Sequence, residues 1–479
     1  MTRHTFKTGT FASASILAMA VAGQAQAVTF EQQMQALYQP TFFDNFDFDG
    51  DRDDTRTATS AGFVDVGDEH VRGEIRWGAT VTAGKTTGKF LLESDAVQNA
   101  GQADGDAVNL ERAYFTYEVN PGLVLQAGHE FKAPDFAGGG LLYGDDHPIF
   151  GVKGDTSFGS YDAYAIIVND SEQGSSQGRR DSTVFLGKAS VDLGSNGTVS
   201  PIVAFHNNEN VDADITYFGG TYVGGTDVVQ ISAEAFGAVG GYGSTPPNGI
   251  NFNNGVNAPA GASSLADDDI STFGANLILE FPFRDAFNPN IGFRWLSGDS
   301  DPFDDDLGGF SSITDISGFV GPMSSGHSIL RWGPNQNDAL SSPVVFGSTF
   351  ETSGPADGGA GSDGSAFGGI GNSATGTNPG QIVIAPGASG SLTPSLSYQA
   401  SLWFMWYDET GGLEVLPNAE DSVDDYAGTQ FDIRLDYALT DNFTVSASGG
   451  VLDPGDGVKD ATGADDLASL ALVEMKWSY

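Results

Sequence analysis

Residues 431–437 read FDIRLDY, and their alternation decides the fold. Phe431, Ile433, Leu435 and Tyr437 fall on one face of an extended chain, while Asp432, Arg434 and Asp436 fall on the other, because successive side chains of a β-strand point to opposite sides. The pattern recurs. In ALVEMKWSY (471–479), Ala471, Val473, Met475, Trp477 and Tyr479 oppose Leu472, Glu474, Lys476 and Ser478. In HVRGEIRWGATV (70–81), Val71, Ile75, Trp77 and Val81 oppose Arg72, Glu74, Arg76 and Thr80. A soluble sandwich also alternates, with its apolar face inward. Strands of about ten residues with aromatics near their ends favour the reverse arrangement, in which the apolar face meets lipid.

Connection lengths order these strands. Short links are expected at 84–86, 120–122, 157–160, 194–197, 224–226, 282–287, 386–392 and 439–442. Longer ones are expected at 44–69, 100–106, 133–148, 170–181, 208–213, 238–268, 298–380, 408–426 and 453–466. Short turns alternating with long loops describe an all-β, transmembrane, antiparallel up-and-down barrel of about eighteen strands. Its two weakest strands are FEQQMQALYQ (30–39) and QIVIA (381–385); without them the count is sixteen. The Gly-, Ser- and Asp-rich stretches at 44–69, 238–268 and 298–380 read as surface loops of one barrel domain spanning 28–479.

The N-terminal segment reads as a secretory signal: Arg3 and Lys7, an apolar run over 11–23, and Ala25-Gln26-Ala27 as the cleavage site. Export to the bacterial outer membrane after cleavage near Ala27 is the expectation. The chain carries 63 Asp and Glu against 20 Lys and Arg, a formal charge of −43, which excludes nucleic acid as a partner. It has no cysteine, and its six histidines show no metal-ligand spacing. No nucleophile elbow or other catalytic set emerges, so the chain is not expected to be an enzyme.

ALVEMKWSY is similar to the C-terminal assembly signal of outer-membrane barrels, a resemblance that implies recognition of Trp477 and Tyr479 by the barrel-insertion machinery. NLERAYFTYEVNPGLVLQAGHEF (109–131), GGGLLYGDD (138–146) and GTQFDIRLDYALTDNFTVSASGG (428–450) resemble the homotrimeric outer-membrane porins of sulfate-reducing bacteria and, more distantly, alginate-export barrels. The first resemblance implies a homotrimer admitting small hydrophilic solutes or ions by passive diffusion. The second implies polysaccharide export through a basic lumen, from which so acidic a chain departs. A secreted acidic β-protein binding calcium or sugar is the third reading.

Strand phase assigns the charges. Arg72, Arg76, Lys89, Arg112, Lys132, Arg294 and Arg434, with Asp432 and Asp436, are expected to line the pore, since a cation facing lipid at mid-membrane costs about 2 to 4 kcal/mol. Two readings stay open for the bases: they select solutes, or they pair with Glu74, Glu93, Glu111, Asp432 and Asp436 and stiffen the wall. Residues 133–148, APDFAGGGLLYGDDHP, are the candidate constriction loop, with Leu141, Leu142 and Tyr143 pinning it and Asp135, Asp145 and Asp146 facing the bases.

NFDFDGDRDDTR (45–56) places Asn45, Asp47, Asp49, Asp51 and Asp53 at alternate positions around Gly50, the spacing of an EF-hand loop. Arg56 stands where the closing Glu belongs. The segment therefore reads as an acidic surface loop, with a weak calcium site as the alternative; no other cofactor is expected.

Overall fold

The computed structural model describes residues 28–44, 55–59, 62–66, 69–99, 102–105, 108–132, 134–135, 141–142, 145–170, 181–208, 213–242, 269–301, 304, 306–310, 313, 379–414, 420, 422–463 and 465–479. Among them, eighteen strands form one closed antiparallel barrel. They are β1 (Val28–Asp44), β2 (Glu69–Ala83), β3 (Thr86–Asn99), β4 (Asn109–Asn120), β5 (Leu123–Lys132) and β6 (Asp145–Thr156). Next come β7 (Gly159–Asp170), β8 (Asp181–Asp192), β9 (Thr198–Asn208), β10 (Ala213–Gly225), β11 (Gln230–Tyr242) and β12 (Asp269–Glu280). The circuit ends with β13 (Asn288–Leu296), β14 (Gln381–Thr393), β15 (Leu396–Trp406), β16 (Tyr426–Thr440), β17 (Phe443–Pro454) and β18 (Ala468–Ser478).

Each strand pairs with its sequence neighbours, and β1 closes the ring by pairing with both β2 and β18. Closure leaves no open edge: Met34 and Tyr479 exchange both backbone hydrogen bonds at the seam, at 2.9 and 2.8 Å. Both weak strands are present and longer than their sequence signals, which settles eighteen over sixteen and removes the soluble-sandwich reading. Among the described residues, α-helix occurs in α1 (Gly411–Glu414) and α2 (Asp456–Thr462), in two of the long connections.

One boundary differs in kind from expectation. The predicted link at 386–392 lies inside β14, and the turn is Pro394-Ser395. Its glycines mark close approach of backbones rather than a turn: a Cβ on Gly390 would lie 2.4 Å from Ala286 C, and one on Gly387 2.7 Å from Ala400 O. The constriction segment also ends earlier than 148, since Asp145 and Asp146 open β6 opposite Lys132 and Phe131.

The outer face is apolar around the circumference. Ile75, Trp77, Phe115, Phe150, Phe185, Val203, Phe218, Phe273, Trp295, Phe431 and Ile433 are all exposed. Opposite phases turn inward, as in β16, where Gln430 and Asp432 are buried between exposed Phe431 and Ile433. An apolar belt of this extent is not sustained in water by a monomer. The lumen divides in two. Strands β6–β13 present Ile166, Val184, Leu186, Ile202, Tyr217 and Phe236 to the inside, whereas β2–β5 and β16 present charges.

Candidate functional site: the divided lumen

The polar wall centres on Arg76. Its Nε lies 2.8 Å from Glu74 and 2.5 Å from Glu93, and Nη2 lies 3.5 Å from Glu111. Glu93 stands opposite Arg76 in register, so β2 and β3 supply this pair by simple alternation. Glu111 reaches the lumen differently. A β-bulge on β4, where Leu91 pairs with Arg112 and Leu92 with Leu110, lets the consecutive residues Glu111 and Arg112 both point inward, 3.9 Å apart. On β5, Lys132 Nζ is 3.0 Å from Glu130 and 4.5 Å from the ring centre of Tyr164. On β16, further round the same half, Arg434 Nε donates to Asp436 at 2.7 Å, while Gln430 donates to Asp432 at 2.6 Å. The cations for which ion pairs are found here carry at least one carboxylate each, and Arg76 carries three.

The described residues of two long connections pack against the apolar half of the lumen. Leu141 and Leu142, from the β5–β6 connection, are fully buried; Leu307, Phe310 and Ile313 from the β13–β14 connection are buried as well. Their backbone polar groups need partners in this dry interior. Leu142 N–H donates to Asp135 Oδ2 at 2.7 Å, Leu142 C=O accepts from Ile313 N–H at 3.0 Å, and Lys188 Nζ donates to Pro134 C=O at 2.6 Å. Leu141 N–H donates to Glu234. Glu234 in turn accepts from Asn276 Nδ2 at 2.5 Å, and Asn276 Oδ1 accepts from Arg294 Nε at 2.7 Å. Glu234, Asn276 and Arg294 are all buried. The apolar packing supplies the adhesion of the loops, and this buried polar chain fixes their register on the wall.

At the long-loop end, Asp299 organises the first turn after β13. Its carboxylate accepts from Asp301 N–H at 3.1 Å and Gly308 N–H at 3.0 Å, while Ser297 Oγ donates to Gly308 C=O at 2.7 Å. Burial pushes the Asp299 carboxyl up to about 7, against the two amide donors. Asp408 ties this turn to the outer wall, accepting from Trp295 Nε1 at 2.8 Å and Gly298 N–H at 3.0 Å.

Of the residues singled out in the sequence, Arg76, Lys89, Arg112, Lys132, Arg294, Arg434, Asp432 and Asp436 occupy inward strand phases, but they do not form one cluster. Arg294 sits in the buried node under the loops, apart from the polar wall. Arg72 lies in β2 opposite Val97, and its side chain is outside the described residues, as are those of Asp145 and Asp146. Asp135 is buried, and its Oδ2 accepts from Leu142 N–H within its own loop. The signal segment and Asn45, Asp47, Asp49, Asp51 and Asp53 lie outside the described residues. Trp477 and Tyr479 stack with ring centres 6.3 Å apart at the seam. Sequence reasoning missed Glu234, Asn276, Lys188 and Asp299 as anchors. Glu234 had one visible signal, a lone acid in the apolar strand QISAEAFGAV.

No family model and no curated protein matches this sequence. Solved structures do. OccK5 (OpdH) from Pseudomonas aeruginosa aligns over 94% of this chain and 98% of its own, at 8% identity and a TM-score of 0.48. OccK2 (OpdF) from the same organism, in complex with glucuronate, aligns over 94% and 98% at 11% identity and 0.48. A BenF-like porin from Pseudomonas fluorescens Pf-5 aligns over 94% and 99% at 9% identity and 0.48. None of the three is a porin of a sulfate-reducing bacterium or an alginate-export barrel. The wide basic lumen of an export barrel is likewise not what the described residues build, since the loops fill one half and carboxylates neutralise bases in the other. By its own hydrogen bonds, the chain is a closed eighteen-stranded antiparallel β-barrel, with the described residues around Leu142 and Ile313 of two connections joined to each other and buried.

Proposed function

We propose that this protein is an outer-membrane channel through which small hydrophilic solutes and ions diffuse along the polar wall of β2–β5 and β16. The observation that carries the reading is the pairing of an apolar exterior with a charged interior strip beside inward-folded loops. The loops narrow the path to the polar side. Because Arg76 faces three carboxylates and the loop turn at 299–306 is acidic, the channel favours cations over anions. Planar-bilayer recording on the purified protein tests both parts. A salt gradient should give discrete conductance steps and a reversal potential on the cation side; absence of steps removes the channel, and an anion-side potential removes the selectivity.

A further inference from the structure

The short-turn end of the barrel is not uniform. Four consecutive turns, those joining β6 to β7, β8 to β9, β10 to β11 and β12 to β13, each carry a large apolar side chain at the tip. These are Phe158 at 65% exposure, Leu193 at 44%, Val228 at 72% and Phe283 at 64%. The other four turns are Gly84-Lys85, Pro121-Gly122, Pro394-Ser395 and Asp441-Asn442. The apolar tips thus occupy one continuous half of the rim. They continue the outer apolar belt downward, through Val199 beside Leu193 and Phe281 beside Phe283.

The backbone of the turns is also shielded, on both halves of the rim. Backbone carbonyls of turns normally face water, and in an apolar phase each unmet one costs several kcal/mol. Here phenols cover them. Tyr161 donates to Gly122 C=O at 3.3 Å, Tyr222 to Asn196 C=O at 2.6 Å, and Tyr398 to Ala286 C=O at 3.2 Å, so a turn outside the apolar arc and two within it are capped from the next hairpin. The tip amides are met as well: Val228 N–H by Thr226 Oγ1 at 3.2 Å and Phe283 N–H by Asn288 Oδ1 at 3.0 Å. Arg284 lies over the ring of Phe283, 4.8 Å from its centre. A long cation on an aromatic at this level suits a phosphate headgroup, with the stem along apolar surface.

We propose that the short-turn rim of β6–β13 is immersed in the headgroup–acyl boundary of the facing leaflet, so that the barrel sits deeper in the membrane on this half than on the half formed by β14–β18 and β1–β5. The occupant of the apolar tips is phospholipid. Asp227 and Asp285 in these turns, with Asp155 and Asp192 at the ends of the adjoining strands, set the limit of immersion, because a carboxylate is costly in hydrocarbon. The inference rests on the membrane-barrel reading above.

The chain has no cysteine, so single labels are unambiguous. Phe158→Cys and Val228→Cys report the apolar tips, Ser395→Cys and Asp441→Cys the opposite turns, and Val203→Cys the mid-belt. Each variant carries a bimane label and is folded into phosphatidylcholine vesicles, with quenching read from phosphatidylcholine brominated high on its acyl chains and from aqueous iodide. Labels at 158 and 228 are expected to lose at least threefold more fluorescence to brominated lipid than labels at 395 and 441, with iodide showing the reverse order. Equal lipid quenching at all four turns, or iodide quenching at 158 and 228, overturns the asymmetric immersion. Protection of both from lipid and iodide alike also overturns it, in favour of a second copy covering the tips. The label at 203 separates the two levels of failure: if brominated lipid does not quench it, the membrane-barrel reading itself fails.

Discussion

The amide of Ile313 donates to the carbonyl of Leu142 at 3.0 Å, joining two connections that are distant in sequence inside the lumen. Through this bond the β13–β14 connection braces the loop that narrows the path. Ile313→Pro removes the donor while keeping an apolar side chain. Open-channel current noise should rise in this variant, while Ile313→Val behaves as the parent and the yield of folded barrel is unchanged in both. Noise equal to the parent's in Ile313→Pro would show that the bond does not steady the constriction.

Buried Glu234 and Arg294 are linked through Asn276. Removing one end leaves a charge uncompensated in a dry site, at a cost of about 3 to 5 kcal/mol, whereas removing both is far milder. Arg294→Met should therefore lower the urea midpoint of the barrel in detergent markedly, and adding Glu234→Gln should recover most of the loss. Additive effects of the two changes would mean that the charges are not coupled.

The wall bases give a sign test. Replacing Arg76 and Arg112 together by Gln leaves Glu74, Glu93 and Glu111 without the cations that now neutralise them. The reversal potential in a salt gradient should move further toward cations, most at low ionic strength, where screening is weakest. No movement would confine these residues to a structural role.

Asp299 predicts a pH dependence of the loop turn at 297–310. Its folded carboxyl titrates at about 7, above the ordinary value near 3.9 for Asp, so the folded turn favours the protonated form. Stability from this group is fully present below about pH 4, declines as the pH rises, and is lost once the pH passes 7. Hydrogen-exchange protection at Gly308 and Phe310 should accordingly be greater at pH 5 than at pH 8, and Asp299→Asn should flatten the difference. Greater protection at pH 8 would contradict the assignment.

The period-two pattern of residues 431–437 was sufficient to send Phe431, Ile433, Leu435 and Tyr437 outward and Asp432, Arg434 and Asp436 inward, because a strand has two faces and lipid accepts only one of these sets. The strand count followed from the same alternation and from turn spacing, both local properties. Where both faces are apolar, the sequence could not say which looks inward. In Pro201–Phe205, Ile202 and Ala204 are buried while Val203 and Phe205 are exposed, and what makes an apolar lumen tolerable there is the pair of loops packed over the apolar half of the lumen. The pairing of Glu111 with Arg76 depends on a bulge one residue wide, which strict alternation forbids. Glu234, Asn276, Arg294, Leu141 and Ile313 come from five separate segments, and only closure of the barrel brings them together. Alternation is written in neighbouring residues; the anchoring of a loop is written in distances across the ring, which no local pattern contains.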